Sequence, residues 1–143
     1  MSHRVTSRGE AGSGRRSLQA VLAVLGAVAT VEGARGVVQG ARQVVDGGPV
    51  SANVDSEYRF YSSWYHVLGL LLLDASRRPE SETRLVRACA GGFLLAACGR
   101  ALSIRSLGPP HRLQKILMAL EFAVPVVVVP WQGRVARTAA KRR

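Results

Sequence analysis

The sequence predicts an all-α integral membrane protein, a four-helix bundle with both termini in the cytoplasm. Three observations carry that prediction. Four apolar stretches, starting near Ser17, Phe60, Ala88 and Ile116, each approach the length that crosses a hydrocarbon core, about 20 residues. Each carries ionisable residues in one half only, at Glu32, Arg59, Arg100 and Glu121. The basic residues alternate between connections. Arg4, Arg8, Arg15 and Arg16 precede the first stretch, Arg77, Arg78, Arg84 and Arg87 follow the second, and Arg134, Arg137, Lys141, Arg142 and Arg143 follow the fourth. The other two connections carry fewer, Arg42 in one and Arg105, Arg112 and Lys115 in the other, which is the positive-inside pattern of four spans with inner termini.

At 143 residues the chain is a single domain, and four helices with short connections use most of it. A soluble bundle would show an apolar stripe opposite a charged face on each helix. The runs 18–31 and 67–73 are apolar all round instead. The net charge of +11 is accounted for by topology, so nucleic acid is not an expected partner.

Taken in order, residues 1–16 form a basic, Gly- and Ser-rich tail with no apolar period, expected to be disordered. The transmembrane domain follows over 17–133. Its first helix is expected over 17–38, with Gly26, Ala29, Gly33, Gly36 and Gly40 permitting close helix approach. The start of the chain also mimics a secretory signal, but cleavage there would break the charge pattern, and it reads as an uncleaved first span. Asp46-Gly47-Gly48-Pro49 marks a turn, and Asp55 or Ser56 is expected to cap a second helix over 56–73. A third helix is expected over 84–106, with a second small-residue stripe at Ala88, Gly92 and Ala96. Cys89 and Cys98 fall on opposite faces of it, nine residues apart, and cannot pair within the helix. Gly108-Pro109-Pro110 is a tight turn before a fourth helix over 111–131, in which Pro125 predicts a kink. Trp131 reads as an inner interfacial anchor, Tyr58, Tyr61, Trp64 and Tyr65 as an outer aromatic belt, and 134–143 as a basic tail.

With the termini inside, Glu32 lies about 22 Å up the first helix, Arg100 about as far up the third, and Glu121 one to two turns below the outer end of the fourth. Ionisable groups therefore gather in the outer half of the membrane. Each costs about 2.5–3.5 kcal/mol near the bilayer centre, so they should face inward and pair. Glu32 with Arg35 is an i,i+3 pair, and Arg100 with Glu121 is the expected interhelical pair. Glu57 and Arg59 lie higher on the second helix, where Arg59, Ser62 and His66 share a polar face. Ser103 lies one turn above Arg100.

The candidate cluster is thus Glu32, Arg35, Glu57, Arg59, His66, Arg100, Ser103 and Glu121. One reading is a closed ion-pair network that fixes helix register. The other is a cavity open to the outer side, where Arg59 or Arg100 binds an anionic headgroup or carboxylate and Glu121 or His66 handles a proton. Arg105, Arg112 and the Gly108 turn would form its rim. No phosphate loop, Cys-x-x-Cys, zinc-ligand cluster or nucleophile elbow is present, so neither a metal nor a cofactor is expected.

The segment Ser56-Glu57-Tyr58-Arg59-Phe60-Tyr61, then Gly69-Leu70-Leu71, Gly99-Arg100-Ala101-Leu102-Ser103 with Gly108-Pro109, and Leu120-Glu121-Phe122 with Pro125 resemble the signature positions of domain-of-unknown-function family 4345. That resemblance implies a small four-helix protein of the bacterial cytoplasmic (inner) membrane. More distantly the chain is similar to DoxX-like membrane proteins, some of which are tied to quinone or thiol redox chemistry, although it lacks the paired cysteines of a thiol-redox member. The expected function is binding of a lipid, a small anionic ligand or a partner helix, including a second copy of the chain, without intrinsic catalysis. The alternative is a membrane enzyme or quinone-linked redox accessory protein using the same polar pocket.

Overall fold

The computed structural model describes residues 3–141, with side chains from Ser13 onward. It contains four helices and, among the described residues, no strand: α1 (His3–Gln39), α2 (Ala52–Arg77), α3 (Thr83–Leu107) and α4 (Arg112–Ala140), with a 3₁₀ turn at Gly40–Gln43 after α1. The order up, down, up, down places both chain ends and the α2–α3 connection at one end of the bundle, the termini end. The α1–α2 and α3–α4 connections lie at the other, the loop end. α1 packs along α2 and α3 along α4, with lesser contact between the two hairpins.

Several helix boundaries differ from expectation. α1 begins at His3 rather than at 17, so the segment expected to be disordered is helical where it is described. Arg15 holds it there, with Nε and Nη2 each 3.0 Å from a carboxylate oxygen of Glu80, while Gln19 donates to the Arg77 carbonyl at 3.0 Å. α4 runs unbroken through Pro125 and Pro130 to Ala140, so 134–140 extends the helix instead of forming a tail. Residues 1, 2, 142 and 143 of the expected tails lie outside the described residues. α2 begins one turn earlier than expected and is capped by Ser51, whose hydroxyl accepts from the Val54 N–H at 3.3 Å; Asp55 is put to another use.

The apolar core sits in the termini half. Leu18, Leu22, Leu72, Ala75, Val86, Cys89, Phe93 and Val128 form it, and Trp131 packs against them. Trp131 is therefore a half-buried core residue and not solely an interfacial anchor. Gln132 is fully buried there, donating from Nε2 to the Pro79 carbonyl at 3.0 Å and the Thr83 hydroxyl at 2.7 Å. Cys89 is buried and Cys98 exposed, which places them on opposite faces as their spacing requires.

Elsewhere the surface is strongly apolar. Val24 and Val28 on α1, Phe60, Trp64 and Leu70 on α2, Leu95 and Leu102 on α3, and Val126 and Val127 on α4 are all exposed. Segments Ser13–Gln43, Thr83–Leu107 and Arg112–Ala140 are long and apolar enough to cross a membrane. α2 falls below that hydropathy because Asp74 and Arg77 close it and the polar run 61–66 interrupts it. An apolar exterior around a small core is the inverse of a soluble bundle and defines the membrane class.

The two hairpins are built differently. α1 and α2 touch backbone to backbone: a Cβ added to Gly33 would overlap the His66 backbone, and one added to Gly26 would lie 2.8 Å from the Leu73 backbone nitrogen and 2.9 Å from the Gly69 carbonyl oxygen. The expected glycine seam of α1 is therefore an α1–α2 seam. The stripe Ala88, Gly92, Ala96 of α3 does not do the corresponding work. Ala88 and Ala96 are exposed, and α3 buries Val86, Cys89, Ala90, Phe93 and Ala97 instead. Larger side chains hold α3 on α4, which leaves room between the hairpins at the loop end.

Candidate functional site

The loop-end cavity lies where the α1–α2 connection meets the outer turns of α3 and α4. It has a volume of about 500 Å³ and is lined by Val44, Val45, Asp46 and Gly47 of the connection, Tyr58 of α2, Arg100, Ser103 and Ile104 of α3, and Pro110, His111, Gln114 and Met118 at the start of α4. The connection is shaped by Asp46 (φ 58°), a left-handed position that Asp adopts more readily than most residues.

Arg100 is the charged centre. Its Nε donates to Glu121 Oε2 at 2.8 Å, and its Nη1 donates to Gln114 Oε1. Glu121 is 7% exposed, and a polar group buried that far in an apolar bundle needs the partner that Arg100 supplies. Gln114 and Glu121 are seven residues apart on one face of α4, so both reach the same guanidinium. Nη2 makes no hydrogen bond among the described residues. The expected Arg100–Glu121 pair is thus present, and Arg100 lines the cavity.

The remaining polar groups of the lining are arranged by their neighbours. His111 caps α4: its Nδ1 accepts from the Leu113 N–H at 3.2 Å. The neutral ring therefore carries its proton on Nε2. Gln43 Nε2 donates to the Tyr58 hydroxyl at 3.1 Å. Ser103 is exposed on the α3 wall.

The other expected site residues do not join this cavity. Glu32 and Arg35 form their i,i+3 pair at 2.8 Å on the exposed face of α1. Glu57 is exposed and makes no ion pair among the described residues. Arg59 pairs with Asp55 at 2.8 Å, an i,i+4 pair on one helix face. Arg59 Nη1 also donates to the carbonyls of Val37 and Val38. These are orphan acceptors at the end of α1, where the helix dipole favours a cation. Asp55 completes the clamp by accepting the Ala41 N–H at 2.8 Å. The chain turns between them at Gly40 (φ 68°), where a Cβ would collide with the Asp55 carboxylate, so glycine is required by conformation and by space. The Arg59 guanidinium, then the Ala41 N–H, hold the Asp55 carboxyl below its usual range. His66 is half-buried against α1 and donates from Nδ1 to the Thr30 carbonyl at 2.9 Å, a structural bond across the seam.

Of the eight expected residues, Arg100 and Ser103 line the cavity and Glu121 anchors Arg100 from beneath. Of the expected aromatic belt, Tyr61 and Trp64 are exposed, while Tyr58 faces the cavity and Tyr65 packs against the core. Tyr58, His111 and Gln114 escaped the sequence reading as site residues. The signal available for Gln114 was its spacing of seven from Glu121. Among the described residues no group of His, Cys, Asp and Glu is placed to hold a metal ion.

A four-helix bundle with an apolar exterior and a charged cavity at one end defines a small helical membrane protein. The chain belongs to the family described as Domain of unknown function (DUF4345), whose model matches residues 17–132. That match covers α2, α3, most of α1 and α4, and the whole cavity. No curated protein and no solved structure matches the chain.

Proposed function

We propose that this is a multi-pass protein of the bacterial cytoplasmic membrane, in which all four helices cross and both termini face the cytoplasm. Its loop-end cavity binds a lipid or a small anionic ligand without chemistry of its own. The observation that carries the binding reading is the setting of Arg100. Two of its nitrogens are fixed by Glu121 and Gln114, while its side chain remains 37% exposed beside a cavity of about 500 Å³. A cation fixed in direction but not consumed by its partners is preorganised for a ligand.

Two features support the topology. α2 turns Phe60, Tyr61, Trp64, Val67, Leu70 and Leu71 outward, so its exterior matches that of its neighbours despite lower hydropathy. Arg16, Arg77, Arg78, Arg84, Arg87, Arg134, Arg137 and Lys141 gather at the termini end, against Arg42, Arg105, Arg112 and Lys115 at the loop end. On that topology the cavity lies in the outer leaflet.

Native mass spectrometry of the detergent-purified protein, after incubation with bacterial lipid extract and quinones, tests the binding reading. A species retained by the wild type and lost by Arg100→Gln, with helicity unchanged by circular dichroism, is the expected result. A wild type that retains nothing contradicts it.

A further inference from the structure

We infer that the cavity selects an oxyanion, a phosphate or carboxylate group borne by an amphiphile or free in solution, because its polar side chains present hydrogen-bond donors inward. This rests on the binding reading above and adds the chemistry of the ligand. The assignments at Gln114 and His111 are each forced by a partner. Arg100 has only donors, so the Gln114 atom that meets it is the carbonyl oxygen, and the amide NH₂ of Gln114 is left without that acceptor. The Leu113 N–H can bond only an unprotonated nitrogen, so His111 Nδ1 is consumed and Nε2–H is the free donor. The Tyr58 oxygen receives Gln43 Nε2, which leaves the phenolic proton to give. With Arg100 Nη2, four side chains of the lining thus have an acceptor already engaged or none to offer.

Asp46 is the one carboxylate of the lining and lies exposed on the connection. Charge nearby favours an anion even so. Arg105, Arg112 and Lys115 adjoin lining residues in sequence and make no ion pair among the described residues, whereas Arg100 and Glu121 cancel each other. Ile104, Met118, Val44 and Val45 supply apolar wall, which suits a head carried on a hydrocarbon body.

The discriminating substitution is Gln114→Glu. It keeps an oxygen for Arg100 and nearly the same shape, but replaces the donor amide with a second carboxylate oxygen. The purified protein is incubated separately with dioleoyl phosphatidic acid, with a trimethylammonium lipid of the same tails, with inorganic phosphate, and with decylubiquinone, and bound mass is read by native mass spectrometry. The wild type should retain phosphatidic acid at least 10-fold over the cationic lipid, with at least a 10-fold loss in Gln114→Glu and a smaller loss in Tyr58→Phe. Inorganic phosphate that binds and displaces the lipid supports the inference and assigns the ligand to free phosphate; phosphate that does not compete assigns it to the lipid head. Equal retention of the cationic lipid, or unchanged phosphatidic acid binding in both variants, overturns it. Decylubiquinone retained without phosphatidic acid overturns the oxyanion and leaves the binding reading standing. No retained species overturns both.

Discussion

The two hairpins of this bundle solve the same packing problem by opposite means. α1 and α2 meet through glycines, so close that the backbone of one lies where a Cβ of the other would be. On α3 the glycines do no such work: a Cβ on Gly91 or Gly99 would meet nothing within 4 Å. The second hairpin is joined at its loop end by long polar side chains, Arg100 with Glu121 and Gln114. Backbone contact leaves no space within the first hairpin, whereas the side-chain bridge of the second sets a charge beside the cavity between them.

The largest expected effect breaks the glycine seam. Gly33→Ala places a methyl group against the His66 backbone and should cost roughly 3 kcal/mol, near the upper end for overpacking, because neither backbone can yield easily. Gly99→Ala, in the open hairpin, should leave stability unchanged or raise it by up to about 1 kcal/mol. Detergent-denaturation curves of the two variants check the contrast. Equal losses would remove the distinction between the hairpins.

Breaking the polar bridge should be asymmetric. Arg100→Gln strands the buried Glu121 carboxylate and should cost about 2 kcal/mol, reduced from a fully buried pair because Arg100 is part-exposed. Glu121→Gln leaves a guanidinium that can turn into the cavity and should cost about 1 kcal/mol. The double variant should cost less than the sum of the two, since each single change strands the other partner. Strict additivity in the same denaturation assay would mean the two residues do not interact.

The smallest effect concerns the clamp on the α1–α2 connection. The folded-state pKa of Asp55 lies below its ordinary value of 3.8, so its stabilising contribution is fully present above that pH. As pH falls the unfolded chain takes up the proton first, and the contribution is lost as pH drops through the folded value. Asp55→Asn should therefore be less stable than the wild type near neutrality and equal to it in strong acid. A stability difference that does not shrink on acidification would exclude this role.

Much of the fold was legible because apolar length and turn chemistry are local. Asp46 to Pro49 and Gly108 to Pro110 separate the helices they were expected to separate. The helix ends were less legible, since a charged residue beyond the apolar window, such as Arg15, continues a helix when a tertiary partner, here Glu80, holds it. Within the site, Arg100 and Glu121 stood out because two charges in an apolar run require each other. Asp55 was read only as a cap, so its i,i+4 pairing with Arg59 went unseen although both lie on one helix face. Tyr58, His111 and Gln114 stayed hidden because neutral polar residues near helix ends disturb no hydropathy pattern, and their value depends on which of their atoms a neighbour has already engaged.

The central claim is that the polar cavity opens to the side of the membrane opposite the termini. It is tested most directly by labelling intact cells and inverted vesicles with a membrane-impermeant maleimide. In a Cys89→Ser, Cys98→Ser background, Ser103→Cys on the cavity wall should label from outside in cells, and Thr138→Cys at the end of α4 should label only in inverted vesicles. The reverse pattern, or a Ser103→Cys thiol reached from neither side, would contradict the account.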